Sequence, residues 1–267
     1  MSYSLGLHLN YKNMSPVDRY NRKILLCLIL RANRNLSGSI CFTPNHLIEL
    51  DKDHHILYDQ KWQLPSPCSL MHFSNLLENQ LYSLCLTQFF KFTDITGRTI
   101  WFPSFFKLEI ATFNLIWQSK VNTLKDIFES TLKDFKTLKI KYEDFKTSID
   151  SFEVQVKMQY HEAVIELYEV LKQKNKSLKP KEISCILSHC NNLYQVLTAP
   201  RNYSPYFQFF AHIVGLHYLN IYPKCSKSEK PKTKQRLKDL LLFMKDKLYS
   251  HYSLNYLILK TGYDALN

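Results

Sequence analysis

The sequence predicts a mainly α-helical protein with a minor β component. Three observations lead to this fold class: a heptad repeat through the middle of the chain, a scarcity of glycine, and an ordered set of short apolar segments before residue 103. Only five of the 267 residues are Gly, which leaves few positions for tight turns or phosphate-binding loops and disfavours α/β nucleotide folds. We predict three regions: a winged-helix-like α+β domain at 1–106, a long central helix at 107–178, and a helical C-terminal region at 179–267.

The central region has an uninterrupted heptad pattern. No Pro occurs between Pro103 and Pro180, and no Gly between Gly97 and Gly215. One apolar set recurs every seven residues, at Val121, Phe128, Phe135, Tyr142, Ile149, Val156, Ala163 and Val170, and its companion set is Leu124, Thr131, Leu138, Phe145, Phe152, Gln159 and Glu166. A sustained 3-4 spacing is typical of left-handed helix packing. It predicts one helix over 115–173, which at 1.5 Å per residue would be roughly 80 Å long.

A helix of that length has to pack against a partner chain or against the rest of its own chain. Its seam is rich in Phe and Tyr, whereas two-stranded coiled coils favour Ile, Val and Leu, and its stripe is wide enough for a helical bundle. The polar residues Gln159 and Glu166 predict a kink or a change of partner. We expect a partner protein or a second copy to bind at Val121, Phe128, Phe135, Tyr142, Phe145, Ile149 and Phe152.

The N-terminal region has the order of elements of a winged helix, a variant of the helix-turn-helix. The predicted elements are helices at 15–33, 43–50 and 69–86, a short apolar run at 40–42, and a hairpin with strands at 89–93 and 99–102. The resemblance is to this general pattern of elements. It would place Lys91 on a wing strand and Arg98 at the wing tip. Residues 71–86 contain no Lys or Arg, which favours protein contact over DNA reading by this domain.

Positive charge is concentrated near the C-terminus. The chain has a net charge of +12, and residues 223–247 hold nine Lys or Arg against three acidic residues, a net of +6. Such a segment fits phosphate-backbone binding, an anionic membrane surface or a localisation signal; the alternative is a solvated linker followed by an ordinary surface helix. The candidate nucleic-acid-binding residues are Lys91, Arg98, Lys230, Lys232, Lys234, Arg236 and Lys238.

Cysteine usage favours a cytoplasmic or nuclear protein. The seven Cys form no framework of close pairs, as expected of reduced thiols. The apolar run 24–30 follows basic residues as in a signal peptide, but Ser15, Pro16 and Asp18 indicate a helix start instead. No apolar stretch approaches the ~20 residues of a transmembrane helix.

Signatures of catalysis are missing from the sequence. It contains no GxxxxGK[ST], GxGxxG, GxSxG, HExxH or CxxC motif, so no cofactor is expected apart from a zinc ion. The candidate zinc ligands are Cys185, His189, Cys190 and His212, because Cys185 and His189 are one helical turn apart. The alternative interpretation is buried thiols and histidines of a helical core.

These observations favour a non-enzymatic assembly or regulatory protein that acts through protein–protein contacts made by the central helix. The alternative function is a DNA-binding regulator or replication initiator that uses the winged helix and the basic C-terminal segment. A zinc-dependent enzyme is a third hypothesis.

Overall fold

A computed structural model of the chain describes residues 81, 84, 88, 91, 92, 95, 96, 106–199, 207–248 and 251–266. The chain forms two compact units, 1–90 and 91–267, so the predicted central and C-terminal regions belong to the same unit. In the first unit the three described residues are helical, and the predicted elements before residue 81 lie outside the described residues. The described part of the chain is helical throughout its regular structure and contains no strand, which confirms the mainly helical fold class.

The second unit contains six long helices in its described ranges. They are α1 (Ile110–Lys141), α2 (Lys146–Asn175), α3 (Pro180–Thr198), α4 (Phe207–Ile221), α5 (Glu229–Asp246) and α6 (Leu254–Asp264). Helix α1 packs on α2, α2 on α3, and α3 on α4. Helices α4, α5 and α6 each contact the other two, so the last three helices form one packed group.

The prediction of one continuous helix over 115–173 is wrong. Helix α1 ends at Lys141, where the Tyr142 amide donates to the Leu138 carbonyl at 2.9 Å. A 3-10 turn, Glu143–Phe145, then reverses the chain, and α2 begins at Lys146. The heptad-patterned segment is therefore two helices joined by a tight connection.

Helices α1 and α2 form an antiparallel hairpin. From base to tip the paired residues are Phe106 and Leu108 with Lys174, Trp117 with Leu167, Phe128 with Tyr160, and Lys139 with Glu153. The second partner number falls as the first rises, as antiparallel packing requires. The two halves of the heptad seam thus face each other within one chain.

The turn has a charge signal in the sequence. Lys139 and Lys141 occupy the last turn of α1, and Glu143 and Asp144 begin the 3-10 turn. Cations stabilise a helix C-terminus and anions a helix N-terminus, since each offsets the partial charge of the unsatisfied backbone groups there. These charges are compatible with the break, but they do not identify it from the sequence, because Lys125–Asp126 and Lys133–Asp134 show the same change within the continuous helix α1.

Helix α2 is the centre of the unit. Its second half is enclosed by α1, α3 and α4, and residues 158–165 are all buried. Gln159, where a kink was expected, lies inside the continuous helix α2 and is 2% exposed. The expected kink is therefore wrong. This half of α2 also packs against α3 and α4, which corresponds to the other expectation, a change of partner.

Helix α6 is held on α4 by two reciprocal Leu-on-Gly contacts. A Cβ built on Gly215 would lie 2.5 Å from Leu259 Cδ1, and one built on Gly262 would lie 2.5 Å from Leu219 Cδ1. Leu259 is fully buried at this contact. Close approach of two helices at glycine allows each leucine to cover the other backbone, which fixes the position of α6.

The described residues of the predicted hairpin at 89–102 are helical instead. Lys91, Phe92, Ile95 and Thr96 all have helical backbone conformation. Phe92 and Thr96 are buried at 2% and 0% exposure, and a spacing of four places them on one helical face. The predicted first strand is wrong at these residues. Leu81 and Leu84 of the predicted helix 69–86 are helical, and most of the remaining winged-helix prediction lies outside the described residues.

Candidate interaction surfaces

The predicted partner-binding seam is closed inside the α1–α2 hairpin. Phe135 and Ile149 are fully buried, and Phe128 stacks on Tyr160 with ring centroids 3.9 Å apart and planes 2° from parallel. The remaining members, Val121, Tyr142, Phe145 and Phe152, are half-buried. A partner could reach the buried members Phe135 and Ile149 only by opening the hairpin, whereas the half-buried members are partly accessible at its surface.

One polar position of the seam is satisfied locally. Thr131 is 1% exposed, and its hydroxyl donates to the Ile127 carbonyl at 2.7 Å. A backbone acceptor one turn earlier lets a buried hydroxyl keep its hydrogen bond inside the helix. The single Thr in the heptad pattern is thus compatible with an intramolecular core.

A histidine pair lies where α2 meets α3. The Nδ1 atoms of His161 and His189 are 3.0 Å apart, a hydrogen-bond distance at which one ring donates and the other accepts. Tyr160 packs against both rings. Burial lowers the pKa of His161 to about 3, helped by His189 and Lys157, and burial lowers the pKa of His189 to about 4. Both imidazoles are therefore neutral near pH 7.

The four candidate zinc ligands do not converge. Cys185 lies next to Tyr168, where burial and this thiol raise the pKa of the tyrosine hydroxyl, and His189 pairs with His161. Cys190 is completely buried, which raises the pKa of its thiol, and His212 is on α4. Within the described part of the chain, no three His, Cys, Asp or Glu side chains are arranged to hold a metal ion. The pairings of Cys185 and His189 use both groups in packing between α2 and α3.

The candidate nucleic-acid-binding residues of α5 are partly occupied by contacts within the protein. Lys230 lies over the Tyr222 ring, Lys232 pairs with Glu229, and Lys234 reaches the Leu266 carbonyl and the Tyr263 ring. Arg236 is half-buried near Tyr194 and Tyr218. Lys238 is exposed. Lys230 and Lys234 therefore contact segments outside α5, whereas the Lys232–Glu229 pair lies within it. Lys91 is half-buried, and Arg98 lies outside the described residues.

Other lysines of the basic segment remain at the surface. Lys224, Lys227, Lys245 and Lys247 are exposed, and with Lys238 they have no ion pair with any other described residue. Lys238, Leu242 and Lys245 follow each other at spacings of four and three, so they share one face of α5. That face combines two free cations with an apolar side chain that is 47% exposed.

The start of α6 presents the most exposed apolar group of the described unit. Tyr252 is 87% exposed, Leu254 72%, Leu257 49% and Ile258 42%. Leu254, Leu257 and Ile258 share the outer face of α6, opposite Leu259, which packs on Gly215. We call the combined surface the C-terminal face: Lys238, Leu242, Lys245, Lys247, Tyr252, Leu254, Leu257 and Ile258.

The sequence of the tail, Tyr252–Leu259, does not by itself distinguish the side that packs on the protein from the side that faces solvent. A run such as Tyr252–Leu259 has apolar residues around much of the helix. Only the tertiary structure determines which of them meet α4 and which face solvent. In the described residues, no helix combines the length and apolar character needed to cross a membrane.

Comparisons with known proteins add no relative. No protein-family model, curated protein or solved structure matches the chain.

Proposed function

We propose that this chain is a non-enzymatic assembly or regulatory protein, which acts by binding other macromolecules at its surface. The observation that carries the proposal is the C-terminal face, where four large apolar side chains between Tyr252 and Ile258 are 42% to 87% exposed. A contiguous apolar group on the surface of a folded unit is characteristic of an interaction site. The candidate interaction element is therefore the α5–α6 pair rather than the central helix.

The burial of the heptad seam supports the α5–α6 pair, rather than the central helix, as the interaction element. Leu124, Phe135 and Ile149 are fully buried, so a partner that used the seam would first have to separate α1 from α2. Exposing large core side chains costs about 1.5–3 kcal/mol each, whereas the apolar side chains of α6 are exposed already. Binding at α6 therefore requires no such opening.

Site-specific photo-crosslinking tests the proposal. A photoreactive amino acid at position 257, in place of Leu257, should form adducts with another protein or with lipid in the cells that produce this chain. The same group at Leu115, which is 74% exposed on α1, is the matched control and should form few. Equal adduct formation at both positions, or none at either, would contradict an interaction site on α6.

The DNA-binding alternative is supported by one observation, the free lysines of the α5 segment. Lys224, Lys227 and Lys238 are exposed and could contact phosphates. Binding to duplex DNA should weaken steeply with salt, and replacing these three lysines by Gln should reduce the salt slope by about three. Binding that does not change in the triple variant would exclude this segment as the DNA contact.

A further inference from the structure

We infer that the C-terminal face docks on an anionic membrane surface. The inference rests on the proposed function, because it names the partner of the same surface. It combines two features that a lipid surface would recognise together: apolar side chains that project from the protein, and free lysines beside them.

The apolar side chains project rather than line a groove. Tyr252 and Leu254 are 87% and 72% exposed, so most of each side chain lies outside the protein envelope. Leu257 and Ile258 continue the same face for one further helical turn. Side chains in this arrangement can enter the headgroup boundary of a bilayer while the helix lies parallel to it, and Tyr is a residue type enriched at that depth.

The charges nearest to this apolar group favour an anionic surface. Lys245 and Lys247 end α5, and Lys247 precedes Tyr252 by only five residues. Lys238 lies two helical turns before Lys245 on the same face of α5, the helix that packs against α6, while Lys247 lies at the end of α5. Asp246 is exposed among them and subtracts from the charge, and Lys260 is neutralised by Asp264 on α6. The free lysines thus leave a positive net charge beside the exposed tyrosine and leucines.

A second copy of the chain fits this surface less well. An isologous dimer places the same patch of each subunit against its equivalent. The free lysines would then face one another around an apolar contact, and like charges at short range oppose association. Phosphate-bearing lipids meet the same lysines with the opposite charge.

Nucleic acid fits the lysines but not the apolar group. A polyanion bound through its phosphates gains little from Leu254, Leu257 or Ile258, because phosphate contacts come from cationic and hydrogen-bonding groups. A bilayer uses both features at once. The role of the three apolar residues therefore separates the two partners experimentally.

Vesicle flotation with the full chain tests the inference. The wild type should float with vesicles of phosphatidylcholine and phosphatidylserine, but not with phosphatidylcholine alone, and added salt should weaken its binding. The variant L254Q/L257Q/I258Q should lose more than tenfold in affinity. Replacing Lys238, Lys245 and Lys247 by Gln should weaken binding about a hundredfold at low salt, since each lysine near an anionic surface contributes roughly one kcal/mol.

The matched control carries equivalent substitutions at exposed positions of α1. Ile110, Leu115 and Ile140 are 60%, 74% and 76% exposed, and I110Q/L115Q/I140Q should float like the wild type. A wild type that fails to float with anionic vesicles overturns the inference. So does an L254Q/L257Q/I258Q variant that binds like the wild type, or one whose only change is the loss of a dimer in sedimentation.

A second measurement covers the case in which the triple variant fails to fold. In the single variant Leu257→Trp, brominated lipids should quench the added fluorescence, and in Leu115→Trp they should not. Equal quenching at both positions would overturn the inference. Photo-crosslinking from position 257 distinguishes failure of the membrane inference from failure of the proposed function. Protein adducts without lipid adducts would support the proposed function and exclude the membrane as the partner.

Discussion

One buried polar residue in the core of the second unit lacks hydrogen-bond partners within the part of the chain that the structure describes. Gln159 is 2% exposed in α2, and neither its amide oxygen nor its amide nitrogen has a hydrogen-bond partner among the described residues. A buried amide without partners loses its hydration without compensation. This residue is a local source of instability in an otherwise apolar part of the helix.

Replacing Gln159 by Met should therefore stabilise the protein. Methionine has a similar length and no polar atoms that need partners, so the free energy of unfolding should rise by about 1–2 kcal/mol. Urea unfolding followed by circular dichroism measures the change. The control Gln173→Met, at an exposed position of the same helix, should stay within about 0.5 kcal/mol of the wild type. A less stable Q159M protein would indicate that the amide has a partner in solution.

The histidine pair makes the unit sensitive to acid. His161 and His189 have folded-state pKa values of about 3 and about 4, below the ordinary 6.5, because burial disfavours their charged forms. Between the folded-state pKa values and 6.5, the unfolded chain binds more protons than the folded chain, so stability falls as the pH decreases through this range. The loss between about pH 7 and pH 5 should be roughly 4 kcal/mol for the pair, about 2 kcal/mol for each histidine.

A variant in which both histidines are replaced by Leu should lose much of this pH dependence. The quantity to measure is the difference in unfolding free energy between neutral and mildly acidic buffer, because absolute stability will change as well. Tyr160→Phe keeps the stacked ring on Phe128 and should keep the wild-type slope. Equal slopes in the double variant and the wild type would assign the acid sensitivity to other groups, of which His212 and His217 also have lowered pKa values through burial.

At the scale of the elements, the sequence predicted helices well and their connections poorly. The region predicted as helical at 179–267 contains α3 to α6, and Pro180 lies in the first turn of α3. The reversal at Tyr142–Phe145 was missed because a heptad stripe reads the same along a continuous helix and along a hairpin whose halves face each other.

The position of α6 depends on a contact that no local pattern reveals. Gly215 and Leu259 are 44 positions apart, and their packing is a property of the tertiary structure. For the same reason the sequence could indicate an apolar tail but not its exposed side. The C-terminal face was therefore predictable only in part, through its lysines.

Gly215→Leu should detach α6 from α4. The new side chain would occupy the space of Leu259, whose Cδ1 lies 2.5 Å from the position of a Cβ on Gly215, and overpacking of this kind typically costs about 1–3 kcal/mol. Amide hydrogen exchange in 254–264 should accelerate at least about tenfold, with little change in α1 and α2. The control Asn220→Leu, exposed on the same helix, should leave exchange unchanged. Acceleration spread evenly over all helices would instead indicate global destabilisation.

At the scale of the whole molecule, the second unit is a succession of helices whose central member is α2. The same pattern of apolar residues that suggested an extended interaction helix is used for its internal core. The proposed interaction surface lies at the C-terminal end of this series of helices, where one face of α6 packs on α4 and the other is exposed.

The distance between the two ends of the heptad segment tests this account most directly. Spin labels introduced through noncanonical amino acids at Leu115 and Gln173, both exposed, would be measured by double electron–electron resonance. The hairpin places them on adjacent helices, so the distance should be below about 30 Å. A continuous helix would separate them by roughly 87 Å at 1.5 Å per residue, and a distance near that value would contradict the closed seam and return the central helix to the role of an interaction element.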